Sequence, residues 1–464
     1  MSELKYVIFF GVLFVGVPVN LMLATKFPKY EKFLWFLLLF FTCNMIDINF
    51  ISYEHYRGTS RGFEIGMVDI IVFSLWAIMR SRQEEYPLQT PPGTVLFWIY
   101  WAFSALSMAN AAVPLYSMFE LWKMVRMYIF FYVVYNTLRR WSDFDDMMRY
   151  ISYVILFITY VVMKQKYIEH IFQTYGPFPH QNSLVMYMIL FGALMLGYLL
   201  NKNDAKLTYW LPVFGMAGID IISTLSRAGM ALFILSASVI FMLSYATKFS
   251  LRKLGITVVF IILGAGVLYK ASDTIIERFE TAPEESANVR VVLAIAARKM
   301  ADDSFIGVGL NNFGLKINPP YPYGNHIPRK DAYEKGGLVE TAYMMIAAET
   351  GWHNLVIFMT LLLYMYFKNM SNYFRMKTHE YRYLSIGIAG GLLSVYIETT
   401  LEWVLKQTNN FYQLIFIFAI IGAVGRLLDE EQAAKDKLEE EEQQRLIAER
   451  NRILLEAKEK RRGR

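Results

Sequence analysis

Apolar stretches able to cross a hydrocarbon core of about 30 Å recur along this chain. They lie near residues 5–24, 33–51, 65–80, 95–113, 115–137, 149–163, 182–200, 207–223, 227–245, 254–270, 339–367, 383–404 and 411–427. Short polar connections separate them, so the pattern predicts an all-α polytopic transmembrane helical bundle of about 12–13 spans. Two polar segments interrupt it, an excursion over 271–338 and a tail over 429–464. In the tail, DKLEEEEQQRLIAERNRILLEAKEKRRGR places acidic residues before basic ones, as a helix dipole favours. Leu438, Leu446, Ile453 and Leu454 give that helix only a thin apolar seam, which suits a solvated helix better than a coiled coil. The chain thus divides into transmembrane helices over 1–270, a loop over 271–338, further spans over 339–428 and a charged C-terminal helix over 429–464.

Charge sets the expected orientation. With the tail in the cytoplasm, the loops holding Lys26, Lys29, Lys32, Arg80, Arg82, Arg139, Arg140, Arg149, Lys202, Lys206, Lys248, Arg252, Lys253, Lys368, Arg375, Lys377 and Arg382 share its side. The opposite short loops hold only Lys5, Arg57, Arg61, Lys164, Lys166, Arg227 and Lys406, which satisfies the positive-inside rule. The 271–338 loop then faces outward, and an outside N-terminus follows. The first run lacks a preceding basic stretch and a small-residue cleavage site, so it reads as a retained helix.

Composition narrows the chemistry. Apolar residues make up 55% of the chain, aromatics 16% and charged residues 19%, a balance foreign to soluble domains. The one cysteine, Cys43, lies in an apolar run, which excludes an intrachain disulfide and any cysteine-held metal. The net charge of +6 sits in short loops, where it serves topology rather than nucleic-acid binding. No H-E-x-x-H, Walker-type loop, G-x-S-x-G or dinucleotide fingerprint occurs, so neither a metal nor another cofactor is expected.

Candidate site residues cluster around the excursion. ANVRVVLAIAARKM sets Val289, Val292, Leu293, Ala296 and Met300 on one helical face, with Arg290 and Arg298 elsewhere. In DDSFIGVGLNNFG, Gly307, Gly309 and Gly314 punctuate a turn, and Asn311 and Asn312 offer amides to a polar pocket. Arg227, in STLSRAGM, opens the 227–245 span, where a helix N-terminus attracts an anion. Guanidinium pairs grip phosphate oxygens bidentately, which makes Arg227 and Arg290 the first candidates for a diphosphate. Against this, Arg227 can snorkel to the headgroups and Arg290 can simply solvate a surface helix. GGLVETAYMMIAAETGW carries Glu340, Tyr343 and Glu349; Glu340, nearest the outer surface, suits either a general base or a salt bridge to an arginine. His55, His170, His180 and His326 all fall on the outer side; His326, in YGNHIPRK, lies closest to the candidate site. Glu120, Lys123 and Arg126 are expected to pair with one another or face the bundle interior, and Glu398 and Glu402 to share a helix face.

SRAGMALFILSASV, NVRVVLAIAARKMADDSFIGVGLNNF and AYMMIAAETGW, in that order around one large loop, resemble the O-antigen ligase and Wzy-type polysaccharide polymerase superfamily. PHQNSLVMYM, with His180 and Asn182, is similar to that family's asparagine-bearing segment, and the resemblance covers roughly 175–367. It implies a GT-C-like, metal-independent glycosyltransferase of the bacterial inner membrane, with its site facing the periplasm and its C-terminus in the cytoplasm. Such enzymes move a glycan from an undecaprenyl-diphosphate carrier onto an acceptor, with lipid diphosphate as the leaving group and inversion at the sugar. By the same resemblance Arg227 and Arg290 hold the diphosphate; Arg290 is also a candidate catalytic residue, and His180, Asn182, Asn311, Asn312 and Tyr343 are candidates for further substrate contacts. Ligases carry a His-Asn pair at the start of the helix that ends in Glu-x-Gly; here Glu340 and Thr341 stand there. That departure favours a polymerase of O-antigen, capsule or exopolysaccharide repeats, with Glu340 or His326 as substitute base. Transfer to lipid A core by a ligase is the alternative. The implied partners are the lipid-linked donor, a glycan acceptor, membrane lipids, and a chain-length regulator or other envelope assembly protein. A lipid-linked oligosaccharide flippase would predict internal repeats, which the sequence does not show, and a non-catalytic scaffold is suggested only by the charged tail.

Overall fold

The computed structural model describes residues 2–53, 55–270, 272, 284–327 and 337–462. Each apolar run carries a helix: α1 (Ser2–Lys26), α2 (Lys29–Cys43), α3 (Met67–Ser81), α4 (Thr94–Leu106), α5 (Pro114–Thr137), α6 (Trp141–Tyr167), α7 (Gln181–Asn201), α8 (Leu207–Ser223), α9 (Arg227–Thr247) and α10 (Leu251–Lys270). In the excursion lies α11 (Glu284–Asp303), followed by α12 (Ala342–Thr350), α13 (Trp352–Arg375), α14 (Arg382–Glu398) and α15 (Thr408–Arg462). The chain is an all-α polytopic membrane bundle. By length and composition, 5 of the described helices suffice individually to cross a membrane: α1, α6, α7, α9 and the apolar part of α15. Among the rest, α3, α4 and α8 have only 15, 13 and 17 residues, and α5 carries Glu120, Lys123 and Arg126.

Three expected boundaries change. The run over 33–51 does not stay helical: α2 stops at Cys43, and β1 (Asp47–Ser52) pairs antiparallel with β2 (Gly62–Gly66), matching Asp47 to Gly66 and Asn49 to Glu64. Polar Asp47 and Asn49 alternate there with Ile48 and Phe50, a period of two that a helix cannot sort onto one face. The 339–367 run is two helices broken at Gly351, whose φ of +86° suits glycine and whose added Cβ would lie 2.0 Å from the Phe305 carbonyl. The charged tail is no separate element but the continuation of α15, 55 residues long. Leu438, Leu446 and Ile453 are exposed on it; the Leu454 side chain, like that of Val289, lies outside the described residues.

The centre of the bundle is α7, whose apolar window is wholly buried. It packs antiparallel to α14 through small residues: a Cβ on Gly197 would meet the Tyr383 carbonyl at 2.7 Å, and one on Gly387 the Ala193 carbonyl at 2.8 Å. Close backbone approach of this kind substitutes for the hydrophobic drive that lipid withholds. Beside it α9 runs parallel, Gly229 resting on Val185 at its start and Ser244 bonded to Asn201 at its end. The starts of α7, α9 and α15, the end of α14 and the β-hairpin therefore meet at one end of the bundle, where α11 also docks. There α11 buries Leu293, Ala296, Ala297 and Met300 in a small second core with Phe313, Ile317, Val339 and Met345. Arg290 and Arg298 are exposed, as the periodicity predicts.

Candidate active site

At that end lies a cavity of about 860 Å³. One wall is the hairpin, contributing Asp47, Thr59, Arg61 and Glu64; the other is Arg290 of the excursion and Glu340 just beyond it, with Glu402 and Trp403, and the first turn of α7 brings His180 and Asn182. Arg290 is the pivot. Its Nη2 donates to Glu402 Oε1 at 2.9 Å, while its Nε donates to Glu340. One guanidinium thus bridges two carboxylates, the bidentate geometry that a diphosphate also offers.

Glu402 does not share a helix face with Glu398, because α14 ends at Glu398 and Glu402 follows in the connection to α15. Burial pushes its carboxyl up to about 7, opposed by Arg290, while neighbouring Glu340 raises it further. Across the cavity, burial likewise pushes Asp47 up to about 7 against the pull of Arg126. His180 caps α7, its Nδ1 accepting from the Asn182 backbone N–H at 3.2 Å, and burial lowers its imidazole below the ordinary value. A neutral ring is what the cap requires, since a protonated Nδ1 cannot accept.

The structure brings Arg290, Glu340, His180 and Asn182 together and sets the other sequence candidates elsewhere. Arg227 is exposed at the first position of α9, behind the Ser226 cap, and is not among the residues lining this cavity; its helix abuts α7 one turn from Asn182. His326 Nε2 donates to the Val292 carbonyl at 2.9 Å, so the ring braces α11. The Tyr343 hydroxyl donates to the Tyr396 carbonyl at 2.9 Å, joining α12 to α14. Asn311 and Asn312 are buried and their amides are occupied. Asn311 accepts from Thr59 N at 2.8 Å and donates to the carbonyls of Ser60 at 2.8 Å and Tyr116 at 2.9 Å; Asn312 accepts from Val113 N at 2.9 Å.

Behind the cavity stands a buried ion network that sequence reading only half anticipates. Glu120 pairs with Lys123 at 2.7 Å and with Lys406 at 2.9 Å, and accepts from the Thr59 hydroxyl at 2.9 Å and the Ser60 hydroxyl at 2.5 Å. Lys406, expected in an exposed loop, is only 5% exposed, and its Nζ also lies 3.8 Å from Glu349. Arg126 turns away from Glu120 and Lys123 to grip Asp69 at 2.6 Å, with Glu64 at 3.5 Å and Asp47 at 3.9 Å. Polar residues breaking the apolar pattern, as in LEWVLKQTNN, are the one sequence signal for Glu402 and Lys406; the alternation over 47–52 is the signal for Asp47.

No curated protein matches this chain. Residues 212–359 match the family profile described as O-antigen ligase, Wzy_C. That stretch runs from α8 into α13 and contains Arg227, Arg290, His326, Glu340 and Tyr343, whereas the hairpin, His180, Asn182 and Glu402 lie outside it. With its helical membrane bundle and its match over the segment that carries Arg290 and Glu340, the chain is similar over that stretch to the O-antigen ligase and Wzy-type superfamily of ligases and polymerases.

Proposed function

We propose that this protein is a glycosyltransferase that polymerises undecaprenyl-diphosphate-linked oligosaccharide repeats at the periplasmic face of a bacterial inner membrane. The observation that carries the reading is Arg290 at the wall of the 860 Å³ cavity, held between Glu340 and Glu402. Diphosphate oxygens replace those carboxylates on the guanidinium fork, and Arg227, at the start of α9 beside α7, is the candidate for a second cation. Glu340, released from Arg290, takes the proton of the attacking sugar hydroxyl. That oxygen bonds to the anomeric carbon with inversion, the bond from the carbon to the diphosphate oxygen breaks, and the electron pair leaves on the diphosphate. Preorganised guanidinium charge at the leaving group lowers the barrier most. Glu340 is preferred to His326 as base because it lines the cavity, whereas the His326 Nε2 is engaged with Val292.

The periplasmic placement rests on the basic loops, which lie at the opposite end of the bundle from the cavity. The polymerase preference rests on Glu340 and Thr341 standing where ligases carry His-Asn. Ligation to lipid A core keeps one point in its favour, the description of the matching family profile as O-antigen ligase. Arg290→Ala, at wild-type membrane levels, is expected to abolish the ladder of long glycan chains on a gel of cell-envelope polysaccharide; a wild-type ladder overturns the assignment. A loss of polymer attached to lipid A, with carrier-linked polymer still made, selects the ligase.

A further inference from the structure

A second cavity, of about 280 Å³, lies at the end of the bundle away from Arg290, between the start of α2, the end of α3, the end of α5 and the start of α6. Four basic and four acidic residues line it, so its overall charge balances and the pairing decides what it can hold. Glu31 is taken by Arg82 at 2.7 Å and Asp146 by Lys32. Asp143 accepts from the backbone N–H groups of Arg139 at 2.9 Å and Arg140 at 2.8 Å, capping α6. Glu85 is exposed at the rim.

Among the described residues, this leaves two adjacent guanidinium groups without a carboxylate bonded to them. Arg139 lies over the Tyr86 ring at 4.6 Å, its Nε donating to the Asn136 carbonyl at 3.3 Å, and its Nη2 is buried without a hydrogen-bond partner among the described residues. Arg140 Nη2 donates to the Tyr86 hydroxyl at 2.5 Å, so both guanidinium groups contact the same residue. A buried guanidinium N–H with no acceptor costs desolvation energy that a bound anion recovers. Two guanidinium forks aligned on one aromatic ring suit the tetrahedral oxygens of a phosphate.

The surroundings favour a lipid as the source. Tyr150 lines the cavity and sits 6.0 Å from Phe36, which reaches Tyr153 at 6.4 Å, so an aromatic strip leads from the cavity along the outer faces of α2 and α6. Phe33 and Tyr153 are exposed there, where acyl chains would run. Basic pockets between transmembrane helices at the positive end of a bundle are where anionic headgroups bind. We propose that Arg139 and Arg140 form a binding site for a phosphate group, supplied by an anionic phospholipid headgroup of the leaflet that faces the basic loops.

The test uses full-length protein in uncharged detergent, titrated with phosphatidylglycerol and with phosphatidylcholine of the same chains and followed by native mass spectrometry. Wild type is expected to retain phosphatidylglycerol preferentially, and Arg139→Gln/Arg140→Gln to bind it roughly ten- to a hundredfold more weakly. Arg139→Lys, which keeps the charge and loses the fork, is expected between them, and Lys299→Gln on α11 is expected to bind as wild type. Should the double variant fail to fold, Arg140→Gln alone, at an exposed position, carries the comparison. Retention of phosphatidylglycerol in millimolar inorganic phosphate supports the lipid source, and displacement supports a site for phosphate irrespective of acyl chains. Equal binding of the two lipids by wild type, or undiminished phosphatidylglycerol binding by the double variant, overturns the proposal.

Discussion

If Arg290 holds the donor diphosphate as proposed, Glu402 makes donor binding depend on pH in one direction. Its carboxylate pairs with the Arg290 guanidinium at 2.9 Å, so under the proposed function it would compete there with the carrier diphosphate, and only when ionised. Because burial raises its pKa from 4.5 to about 7, the competitor is mostly protonated at pH 6 and mostly ionised at pH 8.5. Donor affinity is therefore expected to fall as pH rises through about 7. The gross attraction of two unit charges about 4 Å apart is roughly 4 kcal/mol at an effective dielectric of 20. Arg290 is 44% exposed, however, so solvent screening cuts that figure, and we take about 1–2 kcal/mol, which is about 5- to 30-fold in Kd. The assay is equilibrium binding of undecaprenyl diphosphate, without sugar, to purified protein between pH 6 and pH 8.5. Wild type should weaken by that factor across the range. Glu402→Gln should bind at pH 8.5 as wild type does at pH 6, after the titration of the diphosphate itself is subtracted using the variant's own curve. A variant with the wild-type pH slope refutes the competition.

Two further outcomes follow from the supports of the site. Lys406→Met leaves Glu120 with Lys123 and two hydroxyls but removes the cation 3.8 Å from Glu349; a loss of about 3 kcal/mol is expected in thermal unfolding, partly recovered by adding Glu349→Gln. His180→Ala should cost about 1 kcal/mol as a lost helix cap, and His180→Asn should keep most of it. With a folded-state pKa below the ordinary value, the wild-type cap contributes fully above about pH 6.5 and is lost as pH falls through the depressed pKa; the alanine variant should lack that acid-side change.

The helices were legible because burying an unbroken apolar run in lipid leaves few alternatives, and the exposed face of α11 was legible from its period. The hairpin was not, because Asp47 and Asn49 sit at the end of an apolar run and their alternation spans only six residues. Arg290 and Glu340 could be nominated singly from charge near a membrane mouth. Their pairing with Glu402, 112 residues from Arg290, depends on how α14 and α15 turn beside α7, which no local pattern encodes. The amides of Asn311 and Asn312 show the converse difficulty: a polar residue in a glycine-rich turn reads as a pocket lining, yet buried backbone N–H and C=O groups nearby also need partners, and here they take the amides.

Asn311 consequently bears on whether the cavity has a fixed width. It sits on the excursion with φ of +55°, a conformation asparagine tolerates better than most residues. Its side chain binds Thr59 and Ser60 of the hairpin and Tyr116 of α5, while its carbonyl accepts from the Tyr56 hydroxyl. The wall carrying Asp47 and Glu64 is thereby tied to the excursion that carries Arg290. Asn311→Gly relieves the backbone and removes only the side-chain bonds; Asn311→Ala removes the same bonds and adds about 1 kcal/mol of backbone strain. With the buried partners left unpaired, the glycine variant should lose about 2–4 kcal/mol and the alanine variant about 1 kcal/mol more. Hydrogen exchange over residues 47–66 should accelerate in both, ahead of α7 and α14. If turnover falls while exchange in the hairpin stays at the wild-type rate, Asn311 acts on substrate directly and the clamp account fails.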